Sequence, residues 1–332
     1  MSDIADPGRR LAATAILALA VGLPSMAAAD PITLRAVSPW PASDCWTTPI
    51  FEFRDRVNAE MEGRVQIDYL GHGDVIGPFD QFEALQNGVV DVILGVTSYY
   101  DGQIPEALSQ LYVQMDPAAL RASGYYDLMR EIHRDKADVE FLAMLGGAAG
   151  QAFRLYVNQE MDSGDFSGKR MRVSGATRAV VEHFGGSAVV MPPGEIYTAL
   201  ERGTVDGFGW PYCGTVSYGW HEVMRHVIEH PFFSVNSNIL MNGARWRSLP
   251  EDIQADLERI AQEVEQWSVS YFAEVNAEDN EALADAGVTF LTFPEAEAER
   301  FTAGAYDAGW ADVAGRAGEE VAERLRELST PQ

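Results

Sequence analysis

Three cations fall within four positions of GKRMRV, Gly168 to Val173, in a chain of 332 residues whose formal net charge at pH 7 is -26. In an extended strand the pleat would put Arg170 and Arg172 on one face. Arg172 lies nearer the carboxyl end, where open α/β sheets place their ligands. Arg154, in AFRLYV, precedes another strand-like run. A guanidinium holds a carboxylate through two parallel hydrogen bonds, which lysine cannot reproduce. Only Lys136 and Lys169 of the 24 basic residues are lysines, and 50 acidic residues offer ordinary ion-pair partners, so residue type alone says little. Placement singles out Arg172. Aromatic residues collect at the corresponding strand ends: Trp40, Trp46, Tyr99, Tyr100, Phe208, Trp210 and Tyr212. Each taken singly reads as core or hinge packing; facing one crevice, as a set, they suit an organic ligand.

Signatures of catalysis are missing. HEVMRH, His221 to His226, is one residue too long for the H-E-x-x-H zinc motif and sets its imidazoles off a common helical face. GVTSYYDG holds a serine near glycines without G-x-S-x-G spacing. The six histidines show no ligand spacing, and no glycine-rich loop has a Walker or Rossmann pattern. Neither a metal nor a cofactor is expected.

The elements that must position these residues come in two similar sets. A-L-x-x-G-x-V-D occurs as ALQNGVVD at 84–91 and as ALERGTVD at 199–206. In each, a helical run ends at a glycine stop and a β-branched segment resumes. RVQIDYLG and MRVSG read as strands, whereas FEFRDRVNAEM and TRAVVEHFGG carry apolar residues at helical spacing. Alternating strands and helices predict α/β lobes with mixed sheets, two of them related. Between Ser248 and Ala286, Ile253, Leu257, Ile260, Val264, Trp267, Tyr271, Phe272 and Val275 keep a helical stripe, with no glycine before Gly287. Ser248 and Glu251 are spaced as a capping box, with Pro250 in the first turn. At 1.5 Å per residue the helix would be about 55 Å long and would bridge both lobes. Two helices broken near Asn276 to Asn280 are the alternative.

The N-terminus reads as an export signal. Arg9 and Arg10 precede an apolar run from Leu11 to Leu23, and Ala27-Ala28-Ala29 offers a cleavage site before Asp30. That run of about 13 residues is too short to span a membrane, which takes about 20, and no later segment approaches that length. Residues 1–29 are therefore read as a signal peptide, with the export route left open, and the rest as a soluble exported protein without membrane insertion. A sequence pI near 4.4 opposes binding to nucleic acid. Cys45 and Cys213 can form one disulfide or remain two buried thiols.

FSGKRMRV, the stretch from Gly185 to Pro211 and EALQNGVVDVILG together resemble the solute-binding subunits of tripartite ATP-independent periplasmic (TRAP) transporters, the DctP-like family. The resemblance covers nearly the whole mature chain, and E-x-Y-x-A-L-x-x-G-x-V-D-G is its most specific run. It implies a two-lobed periplasmic-binding-protein fold, type II-like, with hinge strands and one long shared helix at about 249–286. The expected partition gives 30–150 plus 237–270 to lobe I, and 151–236 plus 271–332 to lobe II. It also implies closure on a small organic anion and delivery to the small and large permease subunits, with the binding protein a monomer. The arginine that closes the family's G-x-K-x-R segment falls on Arg172, with Arg170 here replacing the lysine, and a less uniform second arginine falls on Arg154. Trp210 stands where Asn is common; family members that bind 2-oxo acids have Trp there, preceded by Glu. Gly209 replaces that Glu, which argues against a metal-bridged keto-acid mode. Arg172, Arg154, Trp210, Phe208, Tyr212, Tyr99, Trp40 and Trp46 are thus the expected ligand contacts. A bridge between Cys45 and Cys213 across the closed cleft would lock the lobes, so free thiols are expected. A binding protein serving a sensor and a periplasmic hydrolase or lyase are the rival functions.

Overall fold

A computed structural model describes residues 31–146, 153–211 and 213–331. Its strands are β1 (Ile32–Val37), β2 (Val65–Gly71), β3 (Val92–Val96), β4 (Val139–Leu145), β5 (Phe153–Val157), β6 (Arg170–Val173), β7 (Ser187–Val190), β8 (Gly207–Pro211), β9 (His226–Ile228), β10 (Ser237–Asn242) and β11 (Thr289–Leu291). They form two sheets, ordered β2-β1-β3-β10-β4 and β11-β9-β5-β8-β6-β7. The fold is α/β, two-lobed and mixed, as expected.

The two sheets repeat one plan. In the first, β1 pairs in parallel with β2 and β3, and β10 runs antiparallel between β3 and β4. In the second, β6 pairs in parallel with β7 and β8, and β5 runs antiparallel between β8 and β9. The sequence repeat lies at the matching joint of each. Gly88 and Gly203 stop their helices with φ of 68° and 65°, a conformation that favours glycine. The repeat aspartates then cage an arginine from the neighbouring strand. Asp91 accepts hydrogen bonds from the backbone N–H and the side chain of Arg35, whose Nη2 also reaches the Gly88 carbonyl. Asp206 does the same for Arg170, whose Nη2 reaches the Gly203 carbonyl. Arg170 is therefore committed to joining strand and helix, and Arg172 is left as the cation of GKRMRV that turns inward.

Glu251–Asp285 is one helix of 35 residues, unbroken at Asn276 to Asn280. The capping box is not formed. Ser248 follows the short helix Gly243–Arg247 and donates its hydroxyl to the Arg245 carbonyl, and Pro250 occupies the cap position of the long helix. The helix is tied to the first lobe along its N-terminal half. Arg64 reaches Asp252 and Asp256, Glu60 accepts from Arg259, and Glu265 and Ser268 accept the N–H groups of Met144 and Gly146 at the end of β4. Farther along, Phe272 packs on Trp46 and Asp279 accepts the Gly214 N–H beyond β8 in the second lobe. The helix Glu295–Ala317 also touches both lobes, against the 3-10 helix Pro105–Tyr112 and the helix Gly175–His183. There Gly309 lies so close to the Tyr112 ring that a Cβ would overlap it.

Candidate functional site

Parallel pairing with β7 and β8 sets Arg172 opposite Val189 and Phe208, at the carboxyl end of the second sheet. Its side chain is 1% exposed. Nε and Nη2 both donate to the Met191 carbonyl, at 3.0 and 2.9 Å, and Nη1 donates to the Gly209 carbonyl at 3.4 Å. A guanidinium carries five N–H donors. Three are thereby engaged, and one remains on each terminal nitrogen, a fork matched to a carboxylate. Among the described residues no Asp or Glu pairs with it. Burial pulls its pKa down from the ordinary value, while the neighbouring Tyr99 and Tyr218 hydroxyls act in the opposite sense.

The fork opens on a cavity of about 30 Å3 with aromatic walls, among them Trp40, Trp46, Tyr99, Phe153, Trp210 and Phe233. The Trp40 ring lies 5.9 Å from Trp46, 6.1 Å from Tyr99 and 6.3 Å from Trp210, and the Arg172 guanidinium lies 5.5 Å from the Trp210 ring. The walls come from both lobes, and the loops after β1 and β3 face β6 and β8. Thr97, Ser98 and Ser174 add hydroxyls. The Thr97 hydroxyl and the Trp46 indole N–H are buried without a hydrogen-bond partner. Ser98 and Tyr99 are shared with an outer crevice of about 410 Å3 that reaches Phe79, Asp101, Arg178 and Arg316.

Five of the eight candidate contacts, Arg172, Trp210, Tyr99, Trp40 and Trp46, line the cavity. Phe208 does not; it is fully buried behind the site, stacked on Tyr156 with ring centroids 4.6 Å apart. Arg154 pairs with Trp210 across β5 and β8, is half-buried, engages other groups and is also absent from the cavity wall. Tyr212 lies outside the described residues. Thr97, Phe153, Ser174 and Phe233 were not anticipated; Phe153 begins β5, as the other aromatics sit at strand ends, Phe233 lies in the connection between β9 and β10, and the hydroxyls carry no comparable signal.

Two features modify the site. Cys45 and Cys213 are joined in a disulfide with Cα atoms 6.3 Å apart, contrary to the expected free thiols. The loop after β1 and the loop after β8 meet beside Trp46 and Trp210, within the span that a disulfide bridges. Asp44, next in sequence to the bridge, is 3% exposed, and burial raises its carboxyl pKa to about 6 despite the N–H donated by Trp46 at 2.8 Å. Among the described residues no group of three or more His, Cys, Asp or Glu is placed to hold a metal ion. Among them, too, no helix is long and apolar enough to cross a membrane.

Residues 37–308 match the family model for DctP, bacterial extracellular solute-binding protein, family 7. The C4-dicarboxylate-binding periplasmic protein DctP of Rhodobacter capsulatus is 26% identical over 96% of this chain and 94% of its own length. A monocarboxylate 2-oxoacid-binding periplasmic protein of Nostoc sp. is 23% identical over 79% of this chain and 74% of its own. Among solved structures, a TRAP periplasmic solute-binding protein from Desulfovibrio salexigens with bound orotic acid superposes with a TM-score of 0.81. It is 19% identical, and the match covers 90% of this chain and 98% of that one. With its repeated lobes, its long shared helix and this match over most of its length, the chain belongs to the DctP family of bacterial extracellular solute-binding proteins, family 7.

Proposed function

We propose that this protein captures a small organic carboxylate between its lobes in the periplasm and delivers it to a TRAP permease, binding its ligand without turning it over. The observation that carries this reading is Arg172: a cation buried to 1% exposure, paired with no carboxylate among the described residues, facing an aromatic cavity. A buried charge without a counter-charge is costly, and a ligand carboxylate supplies it. Relatives that bind C4-dicarboxylates, 2-oxo acids and orotic acid support an acid as the ligand. Residues 1–29 are proposed as the export signal. The lobes are proposed to divide near residues 150 and 236, with the long helix shared and the protein a monomer. Isothermal titration calorimetry against an organic-acid panel tests the reading: one or more acids bind, and Arg172→Ala abolishes their binding. If every acid fails, or if the variant binds like wild type, the reading falls.

A further inference from the structure

We infer that the ligand is a short monocarboxylate with a single neutral oxygen acceptor beside its carboxylate, an inference that rests on the capture reading above. Charge sets the first limit. Among the described residues Arg172 is the only charged side chain in the cavity wall, and Arg154, the other candidate cation, lies outside it with partners of its own. A second carboxylate would be buried among Trp40, Trp46, Phe153, Trp210 and Phe233 with no cation to meet it, at a large desolvation cost.

Size sets the second limit. A cavity of about 30 Å3 has room for the centres of two or three water molecules. Each water takes about 30 Å3 in the liquid, so the occupant displaces about 60 to 90 Å3, the bulk of an acid of about three or four carbons. Sugar acids are too large, and their hydroxyls would outnumber the polar groups available.

Hydrogen bonding sets the third. Once the Arg172 fork takes the carboxylate, three buried groups of the wall still lack partners, the indole N–H groups of Trp40 and Trp46 and the Thr97 hydroxyl. An indole N–H only donates. The ligand's second polar group must therefore accept, as a keto, hydroxyl or ether oxygen does. An ammonium group cannot, and it would also oppose the Arg172 charge. Leaving these wall donors unmatched has a cost, so the same groups that hold an acceptor select against its absence.

Titrations of the intact mature protein with pyruvate, lactate, propionate, alanine, malonate, succinate and gluconate test this. Pyruvate or lactate should bind at least tenfold more tightly than every other probe. Trp46→Phe and Thr97→Val should each remove most of the preference over propionate, and Thr97→Ser should restore it. Equal affinity for pyruvate, lactate and propionate, or tighter binding of alanine, malonate, succinate or gluconate that is still lost in Arg172→Ala, overturns the ligand class and leaves the capture reading standing. Binding unaffected by Arg172→Ala overturns both.

Discussion

Replacing Arg172 by lysine tests the site most directly, because it keeps the charge and removes the fork. The arginine spends three N–H groups on the Met191 and Gly209 carbonyls and holds two in reserve. A lysine ammonium has three donors in all. If it keeps both backbone carbonyls it has one donor left for the ligand, and it meets the carboxylate as a point charge. Loss of one of two charge-assisted bonds, worth about 1.5 to 3 kcal/mol each, lowers affinity at least tenfold. Arg172→Ala removes both bonds and leaves a buried carboxylate unpaired, so its loss should exceed a hundredfold. Part of each effect will be structural, because Met191 and Gly209 lose a donor as well. Arg170→Ala supplies the comparison: its bonds to Asp206 and Gly203 join strand to helix on the protein surface, away from the cavity wall. Calorimetry and thermal denaturation on all three variants read affinity and melting temperature separately. Arg172 variants should lose affinity out of proportion to melting temperature, and Arg170→Ala the reverse. An Arg170→Ala protein that loses as much affinity as Arg172→Ala would refute the division of labour.

Other consequences can be measured independently. Unreduced mature protein should weigh two hydrogens less than the reduced form; because the bridge closes a loop spanning 168 residues, replacing both cysteines by serine should destabilise the fold by up to about 5 kcal/mol, read from denaturant midpoints. The Asp44 carboxyl has a folded pKa of about 6, raised from 3.8 mainly by burial, so its protonated form favours the fold and its contribution is lost as pH rises from about 4 through 6. Asp44→Asn should remove that slope, changing its stability relative to wild type by up to about 3 kcal/mol between pH 4 and pH 7; parallel stability curves would contradict the burial argument. Gly309→Ala places a methyl on the Tyr112 ring and should destabilise by about 1 to 3 kcal/mol, visible as a drop in melting temperature.

Local regularities carried most of what could be read from the sequence. The glycine stops at Gly88 and Gly203 need a left-handed residue, and the repeated aspartate after each marks the same joint in both lobes. The stripe from Ile253 onward gave the long helix, since its buried face is written at helical spacing. Arg172 stood out by its place at a strand end. What failed depended on distant chain segments. Ser248 had the spacing of a cap but belongs to the preceding helix, because Pro250 starts the long helix later. Phe208 has a strand-end position and faces the core, because the neighbouring Tyr156 takes its ring. Nothing near Thr97 announces that its hydroxyl is buried without a partner, and the cysteine pairing needs two loops whose meeting only the packed lobes define.

The bridge between those loops changes what opening can mean for this protein. While it is intact, the Cα atoms of Cys45 and Cys213 stay about 4.4 to 6.8 Å apart, whatever the lobes do. The lobes cannot part along the edge held by Trp46 and Trp210, so any motion that admits a solute has to swivel about that fixed point. The outer crevice shares Ser98 and Tyr99 with the cavity and none of the residues flanking the bridge. Traffic is thus confined to the Tyr99 side, and the tyrosine ring becomes the door of a vessel whose other rim is riveted shut.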